Sequence, residues 1–339
     1  MGEWPSVIII VHNFKGLGNL KKCLSALMKT DYPNYKIIVV DALTKSIKKW
    51  IKNTFPSIKV IHFDYDAGIP ARLNAALNII DKNTKYIARL DDDIIVHPKW
   101  LKILVRIMEQ CPTIGMAQPI MLKPAPDKCT KIDCLGGFLD QLGFNYLLPS
   151  TKFSLKKLEP TYAVAGLIRR EAIEKISKLQ KPFDEDYFIH WYDVDFSWRL
   201  RLAGYRIVLV PNSIVYHERR LTRALSRLPS KNIFLNTRNA FITLLKNYNL
   251  ANILRYVPLR VMFNIIMSLI LLKKKRYDHS LAILLSIYWV LRNLQIIWQK
   301  RICVQKYIRN VPDSRILKTF NPINIKLLIK QFYVHYPSN

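Results

Sequence analysis

Four short runs of β-branched and aliphatic residues, separated by stretches of helical periodicity, constrain this chain more than any other feature. They are residues 7–11 (V-I-I-I-V), 36–40 (K-I-I-V-V), 59–63 (K-V-I-H-F) and 86–90 (Y-I-A-R-L). Continuous apolar runs of this length suit strands buried on both faces. Between them, residues 20–28 and 71–80 repeat apolar side chains at helical spacing. Alternating strands and helices predict an α/β fold, a parallel sheet with helices on both sides. Ligands of such sheets bind beyond the carboxyl ends of the strands. The second run ends at Asp41 and the fourth at Asp91-Asp92-Asp93. Three adjacent carboxylates repel one another. A divalent cation relieves that, and so does a solvated turn that caps the next helix.

Beyond residue 115 the pattern loosens. Residues 162–169 read as a strand, and 194–203 as a helix stopped by Gly204. Residues 205–210 and 213–216 read as strands, and His217 follows the second. From there to about Ile308 the chain reads as helical, apolar and basic. Residues 1–217 hold 31 Lys and Arg against 21 Asp and Glu, whereas residues 218–339 hold 22 against 3. So positive a segment attracts phosphate groups. Its mixing with long aliphatic runs favours an anionic membrane surface, and nucleic acid is not the expected partner. Two apolar runs, 261–272 and 280–291, flank Lys273-Lys274-Lys275-Arg276. Each is shorter than the roughly 20 residues of a spanning helix. The expectation is helices lying in the interface or a shallow re-entrant pair, with true spans and a soluble helical cap as the alternatives. The division expected is a catalytic domain over 1–220 and a membrane-associating helical region over 221–339.

Half of the residues are apolar, enough for a large core, so composition excludes a disordered chain. The five cysteines are odd in number and irregular in spacing. Cys129 and Cys134 are near enough to pair, but no disulfide framework or zinc site is expected. The N-terminus carries no signal-peptide pattern, which places the chain at the cytoplasmic face of a membrane, peripheral or monotopic.

The segment from Phe183 to His217 is the most specific. It reads F-D-E-D-Y-F-I-H-W-Y-D-V-D-F-S-W-R-L-R-L-A-G-Y-R-I, then Pro211, then Val215-Tyr216-His217. It resembles the signature of family 2 glycosyltransferases of the GT-A fold, especially rhamnosyltransferase- and galactofuranosyltransferase-like members. That signature runs F-D-E-x-[FY]-F-[IL]-x-W-E-D-x-D, then W-R-x-x-x-x-G-[YW], a Pro and V-x-H. Other pieces follow in family order: Val11-His12-Asn13, Val39-Val40-Asp41, Asp66-Ala67-Gly68 with Ala71-Arg72-Leu73-Asn74, and Gly166-Leu167-Ile168-Arg169-Arg170-Glu171. The resemblance covers about residues 5–217.

The resemblance implies an inverting transferase that moves a sugar from a nucleotide-diphosphate donor to a hydroxyl of a glycan or lipid-linked acceptor. Asp41 would bond the pyrimidine and Arg72 would face the nucleotide. Asp91 and Asp93 form the D-x-D element around Asp92, with Asp93 the direct ligand of Mn2+ or Mg2+ and His217 a further one. Asp193 aligns with the catalytic base. Gly166 and Trp191 fall on the substrate side, Trp191 serving either sugar stacking or packing. Arg219, Arg220, Arg223, Arg238 and Asn239 match either a basic lid that closes on the diphosphate or a membrane contact. Two departures stand out. Tyr192 occupies the place of the Glu before the base, and Thr44-Lys45-Ser46 lacks the second acid of the usual S-x-D. A nucleotidyltransferase on a similar sheet, or a non-catalytic basic nucleic-acid- or membrane-binding protein, are the other classes open to this sequence.

Overall fold

The computed structural model describes residues 4–14, 16–124, 131–147, 159–218 and 229–324. The four runs form β1 (Val7–His12), β2 (Tyr35–Ala42), β3 (Lys59–Phe63) and β4 (Tyr86–Asp91), all mutually parallel. Further strands are β5 (Ile94–Val96), β6 (Ile114–Leu122), β7 (Ile132–Cys134), β8 (Gly137–Leu139), β9 (Asn145–Leu147), β10 (Gly166–Arg169) and β11 (Arg206–His217). The main sheet runs β3-β2-β1-β4-β10-β6-β11-β5, with β7 on β6 and β8-β9 as a separate hairpin. The two strands expected at 205–210 and 213–216 are one strand, β11, whose pairing with β6 shifts register between Val210 and Ile214. Of the strand expected at 162–169, only β10 is regular. It is antiparallel to both neighbours, so the sheet is mixed.

Every residue of β1 is buried, and its side chains alternate between two cores. Val7, Ile9 and Val11 pack with Leu20, Leu24, Ile47, Trp100 and Leu104 from α1 (Leu17–Leu27), α2 (Ile47–Thr54) and α4 (Trp100–Gln110). Ile8 and Ile10 join the core of the other face. That core includes Leu73 of α3 (Gly68–Leu77), Ile173 of α5 (Arg170–Ile176), Trp198 of α6 (Tyr192–Leu202) and Phe241 of α7 (Ser230–Asn247). The expected boundary at 220/221 lies outside the described residues. Past it, α7 packs into the same core as the central strand.

Then follow α8 (Leu250–Lys273), α9 (Tyr277–Arg292), α10 (Leu294–Cys303), a π-helical turn (Val304–Ile308) and α11 (Asp313–Leu317). The 12-residue run expected at 261–272 is half of a 24-residue helix, long and apolar enough to cross a membrane. The sequence reading stopped at Arg260. In the fold that guanidinium is buried, donates to Leu142 O at 3.1 Å and lies 3.6 Å from the Phe144 ring centroid, so the helix runs through it. α9 and the helical stretch to Ile308 reach spanning length only as a pair bent by 66°.

Buried charges fasten these helices to the sheet domain. Lys246 of α7, fully buried, reaches Asp184 at 2.8 Å and Asp195 at 2.9 Å. Asp195 also accepts from Arg199 Nε at 2.8 Å, and Asp184 accepts from Lys300 of α10. Burial alone would raise the Asp184 pKa, but Lys246 and Lys300 hold it well below the usual carboxylate range. Replacing Lys246 with Met leaves Lys300 on Asp184 and Arg199 on Asp195. The expected loss is therefore about 3 kcal/mol, the lower end for breaking a buried pair. Urea denaturation of the variant measures it.

Candidate active site

Asp41 is the penultimate residue of β2 and is fully buried. Asn13 Nδ2 donates to one oxygen at 2.5 Å; His62 Nδ1 lies 2.6 Å from the other, which also accepts from Thr44 N at 3.3 Å. Both oxygens are thus taken by protein groups, and Asp41 ties the ends of β1, β2 and β3 together. Arg72 of α3 lies beside it. Its guanidinium bonds Gly68 O at 3.1 Å and Asn13 O at 3.4 Å, and sits 3.6 Å from Asp66. Burial lowers the Arg72 pKa, against the pull of Asp66 and Asp41.

The acidic run bridges the end of β4 and the start of β5. Asp91 lies opposite His12 in the β1–β4 register. Its side chain is 40% exposed and pairs with Arg89 at 3.2 Å. Arg89, buried, also donates to Tyr192 Oη and Val164 O. Asp92 is buried and its N–H donates to His12 O at 3.1 Å. Asp93 lies at the other side of the run. Its carboxylate is 3.3 Å from His217 Nε2 at the end of β11, whose Nδ1 lies 2.8 Å from Asp133. The expected donors therefore meet in part. Asp93 and His217 adjoin, whereas Asp91 faces Arg89, and among the described residues no three acidic, histidine or cysteine side chains are placed to share one metal ion.

Asp193 sits in the first turn of α6, where its Oδ1 accepts from Val194 N at 2.9 Å. Burial raises its pKa, with Arg89 opposing and Asp91 adding to the rise. The approach to this turn is contorted: Phe188, His190 and Trp191 all have positive φ, at 60°, 62° and 66°. Such backbone persists only where its surroundings impose it. Gly68 permits the close approach, since a Cβ there would lie 2.7 Å from Phe188 O, which accepts from Ile69 N. On the other side Asn239 Nδ2 reaches the carbonyls of Tyr187, Ile189 and His190 at 2.9, 2.8 and 3.1 Å.

Three of the expected positions are held by protein contacts. Arg238 and Asn239, expected in a basic lid, belong to a described helix. Both lie buried in α7, where Arg238 donates to Asp186 O and its guanidinium stacks 4.8 Å from the Trp289 ring. Trp191 is 6% exposed and donates to Asn236 Oδ1 at 2.8 Å, an arrangement in keeping with the packing alternative. Gly166 acts through the backbone: at φ 142° in β10, a Cβ would meet Ala117 O at 2.3 Å. Arg219, Arg220 and Arg223 lie outside the described residues, as does Cys129; Cys134 is buried. The sequence reading missed Arg89, hidden in an apolar strand, and Asp133, far from every motif. A charged residue within a strand-type run was the available hint for Arg89.

These strand ends belong to a known class. Residues 6–177, just over half of the chain, match glycosyl transferase family 2, and the chain belongs to that family. It is 23% identical over 242 residues to an uncharacterized protein, y4gI, of Sinorhizobium fredii, covering 67% of this chain and 26% of that protein. It is 30% identical over 114 residues to an uncharacterized glycosyltransferase of Haemophilus influenzae, covering 32% of this chain and 35% of that protein. The O-antigen biosynthesis protein RfbC of Myxococcus xanthus is 24% identical over 254 residues, 68% of this chain and 19% of that protein. The chain thus spans only a fifth to a third of the length of these relatives. Among solved structures, GalNAc-T7 with UDP, GalNAc and Mn2+ superposes with a TM-score of 0.56 at 16% identity, covering 72% of this chain and 48% of that one. S. aureus TarS 1-349 in complex with UDP-GlcNAc gives 0.51 at 15% identity, covering 72% and 68%. The fold is GT-A.

Replacing Asn239 with Ala strands the carbonyls it reaches. The expected cost is about 1–3 kcal/mol, with faster amide exchange confined to residues 187–191. Unchanged exchange there would assign the loop's shape to other contacts.

Proposed function

We propose that this chain is an inverting glycosyltransferase that moves a sugar from a nucleoside-diphosphate donor, a uridine one first, to a hydroxyl of a glycan or lipid-linked glycan. What supports this most is Asp193, a half-buried carboxylate of raised pKa near Arg89 and Asp91 at the ligand-binding edge of a GT-A sheet. A sugar hydroxyl attacks well only as a base removes its proton. Asp193 takes that proton while the acceptor oxygen bonds to the anomeric carbon and the nucleoside diphosphate leaves from the opposite face. One displacement inverts the centre. Arg72 lies on the nucleotide side, and Arg89 sets the charge between Asp91 and Asp193.

A divalent cation, Mn2+ or Mg2+, fits Asp93 and His217. Their 3.3 Å separation is near that of adjacent ligands each about 2.1 Å from one ion. Asp91 is the third donor once its pair with Arg89 opens. When bound, the cation draws off charge developing on the departing diphosphate. The family resemblance puts rhamnosyl and galactofuranosyl donors in the first panel alongside UDP-sugars.

Asp193→Asn keeps the bond to Val194 N but cannot accept the proton, so transfer should fall about 10²–10⁴-fold with donor binding intact. A carboxylate whose folded pKa is raised costs stability above that pKa, so the neutral variant should melt no lower than wild type at neutral pH. In the wild type, transfer should fail as pH drops through the raised Asp193 pKa. Near-normal turnover by Asp193→Asn across a sugar-nucleotide panel would remove the base role.

The membrane reading rests on the outer face of α8, α9 and α10. Leu254, Met262, Ile265, Leu281, Leu285 and Trp298 are exposed there, beside Lys273, Lys274 and Lys275. Apolar contact flanked by lysines suits an anionic bilayer, at about 1 kcal/mol per basic residue near the surface. Because α7 shares the core of the sheet, the test keeps the full chain. Wild type should float with anionic liposomes even in high salt, and an Ile265→Glu, Leu269→Glu, Leu281→Glu variant should not. Equal flotation of both, or none by wild type, refutes this.

A further inference from the structure

His217 is approached from both sides. Nε2 faces Asp93 at 3.3 Å, and Nδ1 faces Asp133 at 2.8 Å, with both carboxylates 3% exposed. Asp133 reaches the ring by a local irregularity of the sheet. In the β6–β7 pair Met121 stands opposite Cys134 and Leu122 opposite Ile132, so Asp133 is the extra residue of a bulge. Bulges re-aim side chains, often beside active sites. Here the bulge turns a carboxylate past β6 toward the end of β11, where Tyr216 pairs with Leu122.

We propose that Asp133 is the positioning residue for His217, fixing its ring and its tautomer so that Nε2 is presented as a ligand toward Asp93. A carboxylate only accepts, so its hydrogen bond needs the imidazole proton on Nδ1. A neutral ring then carries its lone pair on Nε2, the form that binds a cation. That lone pair points at another acceptor, Asp93, and two acceptors facing each other across 3.3 Å gain from a cation between them. Asp133 therefore raises ligand strength at His217 without touching the cation, the role an outer carboxylate commonly plays behind a metal-bound histidine. The inference rests on the metal reading above.

The test measures Mn2+ binding to the full chain with UDP, by electron paramagnetic resonance of the free ion. Asp133→Ala should weaken Mn2+ about 10–100-fold while UDP binding in EDTA stays as in wild type. Asp133→Asn keeps the shape and an acceptor oxygen, and it should lose less. It also covers the case in which Asp133→Ala does not fold. ¹⁵N spectra of the Mg2+-loaded wild type should place the His217 proton on Nδ1. A proton on Nε2, or Mn2+ affinity in both variants within twofold of wild type, overturns the positioning role. Mn2+ binding that is lost in His217→Ala but untouched in Asp133→Ala overturns that role alone. A wild type that binds no Mn2+ overturns the metal site and this inference with it.

Discussion

Lys246 carries a full charge to a place with no water to meet it, and much of the architecture answers to that fact. A buried ammonium is tolerable only beside carboxylates that also find partners. Asp184 and Asp195 supply them from opposite flanks of the segment that holds Asp193. Arg199, Asn247 and Lys300 then complete those carboxylates, and Lys300 extends the network to Asp186. One set of charges thus joins α6, α7, α10 and the loop entering the site. None of these contacts touches the proposed reaction. Together they fix where α6 begins, and so where Asp193 stands.

The strained loop between Asp186 and Tyr192 depends on the same frame. Three left-handed non-glycine residues in four positions would relax if free to do so. Gly68 from α3 and Asn239 from α7 hold them from two sides. Asn239 was expected in a lid because, with Arg238, it matches the basic segment that the family resemblance implies. Its helix packs into the core of the sheet domain, and from there Asn239 holds the loop before α6.

The legible parts of this fold are those set by local pattern. The apolar runs of β1 to β4 announce a parallel sheet because strands buried on both faces need nothing else, and Asp41 and Asp91 were read correctly as strand ends. The α6 segment was legible through Gly204 and its signature residues. What stayed hidden is decided by contacts distant in sequence. The role of Asp133 depends on a bulge opposite β6. Arg260 breaks an apolar run on paper, yet Phe144 and the Leu142 carbonyl absorb it, so α8 is twice the length that composition suggested. Asp41 was expected to bond the pyrimidine, and only the fold brings His62 and Asn13 to its oxygens as well.

Tyr192 shows how one departure from the family pattern reshapes local electrostatics. A glutamate at that place, near Arg89, would neutralise much of the guanidinium. Burial raises the Tyr192 pKa, so the residue stays a neutral phenol that accepts from Arg89 and lies 5.0 Å from it as a ring. The hydrogen bond is kept and the negative charge is lost. Arg89 therefore spends its field on Asp91 and Asp193, and opposes the rise that burial imposes on Asp193. The proposed base is held between desolvation, which favours its protonated form, and a cation in a neighbouring strand, which favours its charged one. That balance raises the Asp193 pKa less than burial alone would.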